Sequence, residues 1–338
     1  MRRRNFIILA ACAAASPIAA WAEQTGRVYR LAVAHPADAV EALRPAGAPP
    51  RLMGAFYAEL RRRLYIEGQN LRIDAHSGGG AADLFPALVA RVLATKPDVI
   101  VTFGSLDPLF KAATETFPIV AFAGDDVLTA GFVTSFAHPG GNITGIAVTP
   151  GAEIWGKRLA LLLQAVPKAR RIAFVAMRAA WESPSLAQAT ATLRNAAQSA
   201  SATLLPVLIK AATETEYRRA FSALAPEKPD ALMLGYGAEH YGFTTLLDEL
   251  VTAARLPALF PDRSFADAGG MMSYGVDLSD LYRHAANDVA AIFAGANPGD
   301  IPFYQPTRYE LVINLETAKT LGIAMPQLLL AQADEVIE

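Results

Sequence analysis

The sequence predicts an α/β protein of two doubly wound parallel-sheet lobes, on three observations. Short apolar runs alternate with amphipathic stretches of helical period, the rhythm of parallel strands joined by right-handed crossovers. That series stops after residue 123 and restarts near residue 153. A chain of 338 residues also exceeds what one hydrophobic core usually organises.

The first series opens with an apolar strand over 28–34, ending at His35-Pro36. After Pro49-Pro50 a helix is expected to about Glu67, with Met53, Phe56, Leu60 and Leu64 at three- and four-residue spacing and Gly68 as its stop. A strand over 71–75 leads through Gly78-Gly79-Gly80 into a helix carrying Leu84, Leu88 and Val92. The next strand, 98–103, is nearly all apolar, as expected where both sheet faces are covered. Asp107-Pro108 is a helix start, and a strand over 118–123 closes the series.

The second series reads as a helix over 153–165, a strand over 171–177 and a helix over about 185–200. A strand over 203–207, a helix to Leu224, a strand over 230–234, a helix to Ala254 and a short strand near Ala258 complete it. From Met271 a strand, a helix to about Gly295, a strand over 309–314 and terminal helices follow, a tail that periodicity alone does not place.

Composition narrows the function. The chain is 53% hydrophobic and 18% charged, with a net charge of -2, so it can fill its cores and has no electrostatic footprint for nucleic acid. Arg61-Arg62-Arg63 reads as the solvated face of one helix. The start, Arg2-Arg3-Arg4 followed by an apolar run from Phe6 to Ala15 and then Ala20-Trp21-Ala22, has the form of a cleavable export signal over 1–22. Arg3-Arg4-Asn5-Phe6 fits a twin-arginine core, and Leu9-Ala10-Ala11-Cys12 approaches a lipoprotein box behind a short apolar run. The expected address is periplasmic. Cys12 is the only cysteine, so the mature chain would hold no disulfide, thiolate metal site or Cys nucleophile.

Enzyme motifs fail on inspection. Gly151-Ala-Glu-Ile-Trp-Gly156-Lys157-Arg158 imitates a phosphate loop but has Arg158 where magnesium chemistry needs a hydroxyl, and reads as a helix start with a surface Lys-Arg pair. There is no G-x-S-x-G elbow, no H-E-x-x-H and no dinucleotide fingerprint after the first strand. The histidines are scattered, His35, His76, His138, His240 and His284, and read as surface or loop residues. No cofactor is expected and no reaction is assigned.

Strand ends point to binding instead, because open α/β sheets take ligands outside the carboxyl ends of their strands. Ser105 and neighbouring N–H groups are candidate carboxylate binders, and Asp125 and Asp126 could accept an ammonium group. Arg178, Trp181, Tyr236 and Glu239 follow strand ends of the second lobe, with Trp181 a platform for an apolar or aromatic ligand.

The C-terminal string Asn297-Pro298 to Pro302, Gln305-Pro306-Thr-Arg-Tyr-Glu-Leu-Val-Ile-Asn314 and Ala333-Asp334-Glu-Val-Ile-Glu338 carries a family resemblance. So do Ala268-Gly269-Gly270-Met-Met-Ser273-Tyr274-Gly275-Val-Asp277 and Phe136-Ala-His-Pro139-Gly140-Gly141-Asn142-Ile-Thr144-Gly145. The chain resembles the substrate-binding proteins of ABC transporters that include tryptophan- and tyrosine-binding receptors, a branch of type I periplasmic binding proteins. The resemblance implies a hinged receptor that closes on an amino acid or related carboxylate and docks on an ABC permease of the inner membrane. It implies a first lobe of 27–146 plus 269–304 and a second of 147–268 plus 305–338. It puts Ser105 and Asp126 at the cleft and adds Tyr274 and Asp277 near the crossovers. The chain departs from the family at Asp126-Val127, at Arg178-Ala-Ala-Trp181 and in the Ser105 loop, all at the ligand end. Two other readings stay open at this point: a ligand-sensing domain without a transport role, and an exported α/β hydrolytic enzyme.

Overall fold

The computed structural model describes residues 26–46, 52–124, 127–128, 131–148, 151–183 and 186–338. The expected export signal, Cys12, Asp125 and Asp126 lie outside the described residues.

The first lobe contains β1 (Tyr29–His35), α1 (Met53–Arg62), β2 (Leu71–Ser77), α2 (Phe85–Ala94), β3 (Val99–Phe103), α3 (Asp107–Ala113), β4 (Ile119–Ala123) and β5 (Ile143–Ala147). Its sheet is wholly parallel, in the order β2-β1-β3-β4-β5. β3, β4 and β5 are buried along their whole length, which explains the nearly unbroken apolar runs of β3 and β4. The strand β5 is absent from the rhythm read above because Gly145 and Thr144 interrupt its apolar pattern.

α1 is shorter than expected. It ends at Arg62, and Leu64, with φ 67°, is exposed rather than part of an apolar stripe. Arg62 and Arg63 both pair with Glu59, so the arginine triplet is solvated but partly neutralised.

The second lobe holds α4 (Glu153–Ala165), β6 (Arg171–Met177), α5 (Arg178–Trp181), α6 (Ala187–Ser199), β7 (Thr203–Ile209), α7 (Glu214–Leu224) and β8 (Ala231–Leu234). It continues with α8 (Thr244–Ala253), β9 (Ala258–Phe260), α9 (Arg263–Asp267) and β10 (Met272–Val276). The chain then forms α10 (Leu278–Phe293), β11 (Tyr309–Asn314), α11 (Leu315–Thr320), α12 (Gln327–Leu330) and β12 (Glu335–Ile337). The second sheet runs β12-β11-β10-β9-β8-β6-β7, with β11 antiparallel to β10 and the other pairs parallel. The tail that periodicity could not place therefore supplies three strands, β10, β11 and β12, to this sheet.

One boundary is corrected. Residues 272–276, expected in the first lobe, pair as β10 with β9 and β11 of the second. The crossing falls at Asp277, after which α10 packs on α1 and the first sheet. The return runs beside β5, where Tyr304 N donates to Gly145 O at 2.8 Å and Ala147 N to Tyr304 O at 2.9 Å. The chain thus passes between lobes after β5, after β10 and before β11. Each sheet carries an apolar core on both faces.

Candidate functional site

In both lobes the parallel strands aim their carboxyl ends at the other lobe, and the loops there touch. Ser105, just past β3, donates its hydroxyl to Glu239 Oε1, past β8, at 2.6 Å. Ala212 N, past β7, donates to Gly80 O, past β2, at 3.0 Å. Gly80 has φ +76°, and a Cβ on it would stand 2.3 Å from Ala212 O, so this approach requires glycine. Asp38, past β1, lies against Gly242. Ser105 and Glu239, both expected at strand ends, are thus brought together in a lobe-to-lobe contact.

Ser105→Ala is expected to loosen this contact, because Glu239 is only 7% exposed and would lose its hydroxyl donor, a cost of about 1–3 kcal/mol to the closed form. Small-angle scattering checks it: the variant should show a larger radius of gyration than the parent, and identical curves would show the bond to be idle.

Aromatic side chains crowd the strand ends. On the first lobe Phe103 stacks on Phe122 with centroids 4.6 Å apart, Tyr282 lies 4.6 Å from Phe122, and His35 lies 4.9 Å from Phe103. On the second, Tyr236 meets Trp155, which meets Phe174, which meets Trp181. Trp181 is half-buried at the end of the short helix α5, where a loop was expected, and the Arg194 guanidinium covers its ring at 5.2 Å. Tyr274 stacks on Tyr309. Asp277 is committed to the fold: its carboxylate caps α10 by accepting from Ser279 N and Asp280 N.

The expected surface pair Lys157-Arg158 is corrected. Arg158 is fully buried, because it shares the inner face of α4 with Ile154, Trp155, Leu161 and Leu162. Its Nη2 donates to Leu234 O at 2.6 Å, at the carboxyl end of β8, and its guanidinium lies over the Tyr236 ring at 4.9 Å. Two histidines are corrected likewise. His35 is 2% exposed and His240 is fully buried, its Nδ1 2.6 Å from the Tyr217 hydroxyl. Burial lowers both imidazoles to about 4, so both are neutral at pH 7.

Asp38, Glu239 and Asp262 are carboxylates at the strand ends. Burial raises Asp38 to about 6 and raises Asp262 against the opposing pull of hydrogen bonds and of Arg158. A carboxyl that holds its proton more tightly folded than unfolded weakens the fold as pH climbs from about 4 to about 6, and the loss persists above. Asp38→Asn is therefore expected to stabilise the ligand-free protein at pH 8, by on the order of 1–3 kcal/mol, and to change little at pH 3.5. Urea midpoints at both pH values read this, and an equal shift at both would reject it.

Among the described residues no group of three His, Cys, Asp or Glu could hold a metal, and no helix is long and apolar enough to cross a membrane.

Two parallel-sheet α/β lobes with aromatic and charged side chains at their facing strand ends define a type I periplasmic-binding-protein fold. The chain belongs to the ABC transporter substrate binding protein family, whose model matches residues 53–337. That is a family of binding proteins rather than of enzymes. A curated relative, the tyrosine-binding protein of Clostridioides difficile (strain R20291), is 24% identical over 79% of this chain and 75% of its own. Among solved structures, a conserved domain protein from Vibrio cholerae superposes with a TM-score of 0.77 at 23% identity, covering 92% of this chain and 100% of that one. The ABC domain from Streptococcus pneumoniae in complex with L-Trp gives a TM-score of 0.75 at 19% identity with the same coverage.

Sequence reasoning missed Arg158, Asp38, Asp262, Phe103, Phe122 and Tyr282. Asp38 and Asp262 had a signal, since each sits within three residues of a strand end.

Proposed function

We propose that this chain is the periplasmic receptor of an ABC importer, exported by its N-terminal signal, that closes on a small solute such as an aromatic amino acid and hands it to a membrane permease. The observation that carries the reading is the meeting of both sets of strand ends, joined by Ser105 and Glu239 and walled by aromatic rings. The naming of one relative for tyrosine and the L-Trp in a fold neighbour support an aromatic ligand. In this reading Ser105, Trp181, Tyr236 and Tyr274 face or support the solute, together with Asp126. Asp277 serves by fixing α10, which carries Tyr282. Closure converts binding into a shape that the permease reads.

Thermal denaturation against a panel of amino acids, aromatic acids and small carboxylates tests it. A cognate solute at a hundredfold its Kd should add about 2.7 kcal/mol of stability. Purified permease should hydrolyse ATP faster with the liganded receptor than without. No shift with any small solute would end the receptor reading.

A further inference from the structure

The charge at the strand ends is lopsided. Asp38, Glu239 and Asp262 are carboxylates, and the two buried histidines beside them are neutral. Among the described residues Arg158 is the fully buried cation there: one of its amino groups is spent on Leu234 O, and its charge faces Asp262. Glu239 has the Ser105 hydroxyl, but the other two acids each keep a spare buried oxygen. Asp38 Oδ1 makes no hydrogen bond among the described residues and lies 3.7 Å from His35 Nδ1. Asp262 Oδ1 caps α9 through Ser264 N, while Oδ2 has no well-formed hydrogen bond, though the Tyr241 hydroxyl stands beside it. The two acids come from opposite lobes and flank consecutive residues: Asp262 neighbours Tyr241, and Asp38 neighbours Gly242. Both also act on Tyr282.

A desolvated carboxylate oxygen without a donor is costly, and the cost is relieved by a cation that hydrogen-bonds it. Two such oxygens from opposite lobes are best served by one group with several donors, which a protonated primary amine is. Resting on the receptor reading above, we propose that the cleft selects for a protonated amine on an aromatic body: the ammonium lodges between Asp38 and Asp262, and the solute needs no carboxylate of its own. The aromatic rings around the pair, Tyr236, Tyr241 and Tyr282, add cation–π attraction to the same charge. The ammonium then ties the lobes together, so charge recognition and closure are one event.

Calorimetry on the full mature chain at pH 7.5 tests this with two series: L-tyrosine, tyramine and 3-(4-hydroxyphenyl)propionate, then L-tryptophan, tryptamine and indole-3-propionate. In at least one series the amine should bind within about tenfold of the amino acid, and the deaminated acid at least about a hundredfold more weakly. Asp262→Asn, which keeps the helix cap, and Asp38→Asn should each weaken amine and amino acid by about tenfold or more, Asp38→Asn without lowering the ligand-free melting temperature. A merely structural acid would instead lower that temperature and leave the preference for amines intact. Equal binding of the deaminated acids, or Asn variants that bind like the parent, would overturn the proposal. If neither series binds but another solute stabilises the protein, the receptor reading stands and the amine assignment falls. If no solute binds at all, both fall.

Discussion

Arg158→Ala is expected to lose about 3–5 kcal/mol of folding stability, among the largest effects a single substitution can have here. Among the described residues the side chain is the largest of those fully buried, and it reaches from α4 to the carbonyls of Leu234, which ends β8, and of Leu259 in β9. Alanine would leave Leu234 O without its donor, open a cavity beneath Tyr236 and remove the countercharge facing Asp262. Each loss acts on the same few strand ends, so the terms compound. Arg158→Met separates charge from volume. It refills much of the space and should recover part of the loss, as buried ions replaced by apolar groups often do. Urea denaturation of the two variants beside the parent is the measurement, and an unchanged midpoint for the alanine variant would show that the guanidinium contributes nothing.

Gly145→Ala is the second large effect, at about 3 kcal/mol or more. Gly145 lies in the middle of β5 at φ +148°, and a Cβ there would fall 2.1 Å from Ala121 O and 2.6 Å from Ala121 N of the neighbouring strand. Backbone cannot swing aside as a side chain can, so β4 and β5 must part. The same residue accepts a hydrogen bond from Tyr304 N, and the disturbance spreads to the segment returning from the first lobe. Gly68→Ala is the control: its φ is +80°, but nothing lies within 4 Å of the added carbon, so only the conformational cost of about 1 kcal/mol remains. Comparable melting temperatures for the two alanine variants would contradict the clash.

The layered fold was legible because buried parallel strands must be apolar along their length. Val99–Phe103 and Arg171–Met177 could be read almost to the residue for that reason. β5 was hidden by the glycine that lets it approach β4. β12 is a three-residue edge strand, and its assignment to the second sheet depends on its pairing with β11, which no local pattern encodes. At the site, strand ends gave Ser105 and Glu239, but not that the two would bond across the lobes. Arg158 was misread because a charged pair looks solvated, although its spacing from Ile154, Trp155 and Leu162 already placed it on the apolar side of the helix. Tyr282 was out of reach for another reason: it comes to the first lobe from a segment that follows β6 to β10 of the second one.

That late arrival of α10 bears on how the polypeptide is made. Its Leu281, Ala285, Val289 and Phe293 seal the same apolar cluster as Tyr29, Val33, Phe56 and Phe122. A nascent chain that has not yet delivered residues 278–293 leaves this surface open while the second lobe is emerging, and bare apolar surface of that kind invites aggregation. A premature stop before residue 278 would therefore yield not a working half but a sticky fragment. A chain of this architecture is best kept from folding until residues 278–293 have been synthesised.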